Sequence, residues 1–138
     1  MKRLVVGLVL CALMTVPALG DTESTAVISV SGTATAGGTL TFTVKKPAGT
    51  VNQIAFFGIS PGLGKIEFPF VTMDLMWPIF AAGMGSLNKG SASHKLQVPK
   101  DWPTGFVIVW YAQGIVVTPK GGGYIAETTK PIPFTIGK

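Results

Sequence analysis

The run Phe106-Val-Ile-Val-Trp-Tyr-Ala-Gln-Gly-Ile-Val-Val117 restricts the folds open to this chain more than any other stretch. It is apolar at odd and even positions alike, and only Gln113 and Gly114 interrupt it. A strand with one wet face alternates apolar with polar residues, so a β-branched and aromatic run of this kind needs cover on both faces, or on one face and both edges. It is also too short for a transmembrane helix, which takes about 20 apolar residues. We therefore expect a central strand around which the other segments pack.

Those segments read as strands too. Thr39 to Lys45 alternates Leu40, Phe42 and Val44 with Thr39, Thr41, Thr43 and Lys45, the period of two that a strand imposes. Thr25 to Ser31 precedes it, and Val51 to Ile59 follows after the turn Pro47-Ala48-Gly49. The breaker cluster Ser60-Pro-Gly-Leu-Gly64 leads to Lys65 to Val71, where Pro69 lacks a backbone donor and suggests an edge or a bulge. Thr72 to Gly85 contains Pro78, which argues for a short strand on either side of it. Ser91 to Val98 turns Ala92, His94, Leu96 and Val98 inward. Tyr124 to Thr129 and Pro131 to Ile136 close the set. Seven to eight short strands joined by Gly and Pro turns, with no helical periodicity, predict an all-β, antiparallel β-sandwich of immunoglobulin-like character. A membrane barrel is the rival, but the outward Thr and Lys of residues 39–45 are not lipid-facing residues and aromatic girdles are missing.

Residues 1–20 have a different character. Lys2 and Arg3, the apolar stretch Leu4 to Val16, and Pro17-Ala-Leu-Gly20 before Asp21 have the three-part layout of a secretory signal peptide. A retained anchor helix is the alternative, for which Leu4 to Leu19 is short. A lipidated Cys11 is another, although Leu10 stands where such a site wants a small residue. Cleavage leaves residues 21–138 as a single domain, secreted or periplasmic in a bacterium, with no transmembrane segment and no cysteine for a disulfide.

That mature chain carries nine Lys against six acidic residues and no Arg. Phosphate and base recognition lean on Arg forks and clustered cations, whereas these lysines are scattered, so no nucleic-acid partner is expected.

Several segments together resemble a largely uncharacterised group of small secreted bacterial β-sandwich domains. They are Ser29-Val-Ser-Gly-Thr-Ala-Thr-Ala-Gly-Gly-Thr-Leu-Thr-Phe-Thr-Val44, Gly58-Ile-Ser-Pro-Gly62, Leu87-Asn-Lys-Gly90, Tyr111-Ala-Gln-Gly-Ile-Val-Val117 and Phe134-Thr-Ile-Gly137. The resemblance implies export and fold, and brings no catalytic residue with it. Lys65 to Met84 departs most from the pattern.

Candidate chemistry is sparse. His94 is the sole histidine, no Gly-x-Ser-x-Gly elbow accompanies it, and its strand parity makes it structural, so we expect no enzyme and no cofactor. Met73, Met76, Met84 and His94 form a weak copper set, since thioethers and imidazole suit that metal, although Met beside Trp77, Ile79 and Phe80 also fills a core. Glu67, Asp74, Asp101 and Glu127 are too isolated for calcium. The remaining handle is aromatic. Trp77 and Trp102 each precede or adjoin a proline corner, and Tyr124 follows the Gly121 to Gly123 tip, so these three are the candidate ligand-binding residues for a glycan or a protein. The expected function is a secreted non-catalytic structural or interaction module, with a carbohydrate-binding module and a periplasmic copper carrier as alternatives. Self-association through open edges is a further one, for which Lys45, Pro69 and Lys95 are the expected blockers.

Overall fold

The computed structural model describes residues 18–21, 25–46, 52–87 and 89–137. Most of residues 1–20, expected to be a signal peptide, with Cys11, and the turn at Pro47 to Gly49 lie outside them. Among the described residues there are eleven strands and no helix. They are β1 (Ala18–Asp21), β2 (Val27–Gly32), β3 (Thr39–Lys45), β4 (Ile54–Ser60), β5 (Leu63–Glu67), β6 (Thr72–Leu75), β7 (Phe80–Ser86), β8 (Ser91–Gln97), β9 (Ile108–Lys120), β10 (Gly123–Thr128) and β11 (Ile132–Ile136).

β9 is the axis. The larger sheet runs β1-β10-β9-β4-β7, with β11 also paired to β9, and a three-stranded sheet runs β2-β3-β8. Both are open, and β5 pairs with β6 as a separate hairpin. All pairings are antiparallel except β1 with β10. β10 and β11 follow one another along a single edge of β9. Three residues separate Thr128 from Ile132 where β9 has only two between Ala112 and Ile115, so the edge carries a one-residue bulge.

The two-sided apolar run is answered by cover on both faces. On one side Ala112 and Val116, with Ala55 and Phe57 of β4 and Phe134 of β11, pack against Ile28, Leu40, Phe42, Val44 and Ala92 of the smaller sheet. Phe42 is fully buried and meets Phe134 edge-on at 5.0 Å between ring centres, a burial worth about 1.5–3 kcal/mol. On the other side Ile115 and Val117, with Ala126 of β10, pack under Phe70, Val71, Met73 and Leu75 of the β5–β6 hairpin. The chain thus builds three layers, with Ala112 to Val117 buried throughout in the middle one.

The hairpin reaches that position because β4 and β7 continue into β5 and β6 through a sharp fold-back. Ser60, fully buried at the bend, donates its hydroxyl toward the carbonyls of Gly62 (3.0 Å) and Met76 (2.6 Å), and Met76 N–H donates to Gly62 O at 3.1 Å. Gly62 suits this place because a Cβ there would run into the Met76 side chain. The two sheets are also tied by an ion pair, Lys46 beyond β3 with Glu127 of β10, whose side chains are 19% and 5% exposed. Burial holds the Lys46 ammonium below the usual 10.5.

Several expectations need correction. β9 begins at Ile108, and Phe106 and Val107 are exposed residues of the preceding connection. Pro69 is in the β5–β6 loop, where it closes a turn and removes no ladder bond. Lys45 lies on β3, the middle strand of its sheet, and only Lys95, on β8, occupies an edge strand as expected. The strand count rises to eleven, with short strands separate on either side of Pro78 and with Ala18–Asp21, most of which the sequence reading leaves outside the domain, pairing as a strand on β10. The alternation within β3, β8 and β11 stands as the sequence implies, with short strands either side of Pro78.

Candidate functional site

All three tryptophans occupy the same end of the molecule, where β9 begins. Trp110 is the third residue of β9 and lies 5.4 Å from the Phe80 ring, centre to centre. Trp102 precedes the strand, and its indole N–H donates to Phe106 O at 2.7 Å while its ring packs on Phe106 at 5.7 Å. Trp77 follows Met76, whose carbonyl is bonded to Ser60, and Ser60 stands opposite Tyr111 of β9.

This end is left open because β9 outruns its cover. β4 pairs with β9 only from Tyr111 to Val117, and β10 only from Ile115 onward, so Ile108 to Trp110 have β11 alone beside them. On the face covered by the hairpin, Tyr111 and Ile115 pack beneath it, whereas Val109, the next residue outward on that face, is 52% exposed. Phe106 (52%) and Val107 (51%) are equally open, and Trp77 is 66% exposed. Leu63 and Met76 are exposed at the fold-back on the same side. An uncovered apolar group of this kind on a water-facing protein marks a contact surface more often than a scattered single residue does.

The expected binding residues therefore divide. Trp77 has its ring free for stacking. Trp102 is half-buried and uses its N–H to close the Pro103 to Gly105 turn, so it shapes this end more than it presents a face. Tyr124 is partly exposed, but it pairs with Pro119 at the far end of β9, about 40 Å along the strand from Phe106 at roughly 3.3 Å per residue. It lines a depression at the β9–β10 tip with Pro119 to Gly123. Trp77 and Tyr124 thus lie toward opposite ends of β9 and do not form one site.

The copper set does not converge. Met73 is buried over Gly58, and Met76 points away over Gly62. Met84 pairs with Phe56, whose side chain lies on the hairpin face, while the His94 ring lies against Gly83 and 6.2 Å from Phe57 on the opposite face of that sheet. Among the described residues no group of three or more His, Cys, Asp or Glu could hold a metal ion, and no helix is long and apolar enough to cross a membrane.

Reading the chain alone missed Phe106, Val107 and Val109, because they belong to the same apolar run as the true core. The available signal was the corner Pro99 to Gly105, which leaves the first residues of the run without neighbours on one side. Compared with protein-family models, with curated proteins and with solved structures, the chain has no match.

Proposed function

We propose that this protein is an exported, non-catalytic interaction module of the cell envelope or exterior, with an immunoglobulin-like fold, which engages its partner through the aromatic end formed by Trp77, Phe106, Val107 and Val109. The observation that carries the reading is the exposure of these four large apolar side chains where β9 outruns its cover. Partner proteins and sugar rings both use such surfaces.

The immunoglobulin-like assignment is supported by strand order. β2, β3 and β8 follow the A-B-E order of one sheet, and β10/β11, β9, β4 and β7 follow the G-F-C-C′ order of the other. The β5–β6 hairpin is then an insertion between C and C′. It overlaps Lys65 to Met84, the stretch that departs from the secreted β-sandwich domains this chain resembles.

The glycan version of this reading is favoured by Trp77, whose open ring is a stacking face. Titration with envelope polysaccharides and, separately, envelope proteins, monitored by tryptophan emission, tests the proposal. A saturable change lost in Trp77→Ala supports it, and the responding fraction names the ligand class. Flat titrations in both fractions refute it.

A further inference from the structure

We propose that the outer edge of β10 is a docking edge for an extended segment of small and apolar residues from a partner protein, added parallel to Gly123–Thr128, and that Ala18–Asp21 covers this edge in the unprocessed chain. The inference rests on the export reading above, because it depends on cleavage at the signal-peptide boundary.

The edge already shows what it accepts. β1 lies along β10 as a parallel strand, Ala18 opposite Tyr124 and Asp21 opposite Ala126, with a register shift between them. The occupying residues are Ala-Leu-Gly-Asp, small or apolar and uncharged until the last. The expected cleavage point, between Gly20 and Asp21, falls inside β1. Processing there removes three of its four residues and leaves the N–H and C=O groups along β10 without that partner strand.

Nothing in β10 itself closes the edge again. Proteins blunt exposed edges with Lys, Pro or bulges, and neighbouring strands here have them: Lys95 on β8, Pro133 on β11, and the register shift after Phe57 that distorts β7. Gly123–Thr128 contains neither Lys nor Pro. The strand is also held in place from behind, through six consecutive register pairs with β9 and through buried Ala126 and Glu127, the latter paired with Lys46. A pre-formed edge of this kind adds a strand without having to order itself first.

The test compares the full chain, the full chain carrying Leu19→Pro, and the chain processed to Asp21, using as probe a synthetic peptide of residues 15–21. Proline at position 19 cannot donate to the β1–β10 ladder. Amide exchange at Gly123–Thr128 should quicken by about tenfold or more in the variant and in the processed chain, with β9 unchanged, since edge openings cost less than global unfolding. The peptide should bind those two forms, restore protection and leave the full chain alone, while the same peptide N-methylated at Leu19 should not bind. Equal protection in all three forms, or no peptide binding, overturns the docking edge. A processed chain that dimerises in sedimentation and ignores the peptide also overturns it, in favour of pairing between copies. N-terminal sequencing of the exported protein separates the two claims: an intact Met1 overturns uncovering by processing, while the peptide result on Leu19→Pro still decides the edge.

Discussion

The Gln113 side chain and the Asp74 backbone join the middle layer to the hairpin that covers it: Asp74 N–H donates to Gln113 Oε1 at 2.9 Å. The Gln113 amide nitrogen donates in turn to Thr129 O at 2.8 Å, inside the bulge between β10 and β11. A fully buried glutamine in an apolar strand thus satisfies backbone groups of two other elements, and no buried side-chain N or O among the described residues lacks a partner.

Gln113→Leu keeps the bulk but strands the Thr129 carbonyl and the Asp74 N–H. It should destabilise the fold by about 2–4 kcal/mol, read as a lower denaturation midpoint, because each buried orphan costs roughly 1–3 kcal/mol. Amide exchange should quicken in β5–β6 more than in β2, β3 and β8. Uniform change across the chain would show that the hairpin does not depend on this bond.

Gly114 faces the smaller sheet, and a Cβ there would stand 2.6 Å from Val44 Cγ2 and 3.2 Å from Thr129 Cγ2. Gly114→Ala should therefore cost about 1–3 kcal/mol by overpacking, even though alanine suits a strand better than glycine does. Stability equal to or above that of the parent would mean the two sheets can separate freely at this point.

Both residues bear on how far the sequence discloses the molecule. Leu40, Phe42 and Val44 betray a one-sided strand by alternation, and Ala112 to Val117 betray a two-sided one by its absence. What covers the second face was hidden, since Phe68, Pro69 and Phe70 continue the alternation of Lys65 to Ile66 although the chain turns there. The site was half legible for a related reason. Trp77 stands out beside Pro78, but Phe106, Val107 and Val109 have the composition of core residues, and only the lengths of β4 and the hairpin decide that they are uncovered.

Lys46 and Glu127 provide the pH test. Since the folded-state pKa of Lys46 lies below its unfolded 10.5, the unfolded chain binds more protons between those two values, so this group's contribution to stability rises with pH across that window. Lys46→Met should abolish the rise, seen as the difference between parent and variant denaturation midpoints at neutral pH and at pH 10.5. Glu127→Leu alone should leave the partly buried Lys46 ammonium without its carboxylate and lower the denaturation midpoint at neutral pH. Lys46→Met added to Glu127→Leu should recover much of that loss; failure to do so would show that the pair is not what joins the sheets.

Trp102 and Trp77 should separate stability from binding. Trp102→Phe removes the bond to Phe106 O and should cost about 1 kcal/mol, while Trp77→Ala, at an exposed site, should stay within about 0.5 kcal/mol of the parent. Comparable denaturation losses in the two would indicate that Trp77 is packed in solution.

The most direct measurement places a photo-reactive phenylalanine analogue at position 77, 106 or 95 and irradiates intact cells that produce the protein. Positions 77 and 106 lie at the aromatic end, and Lys95 is on the exposed outer face of β8. The account predicts a discrete adduct from 77 and from 106 and none from 95. Adducts from 95 alone, or from none of the three, would contradict a binding role for the aromatic end.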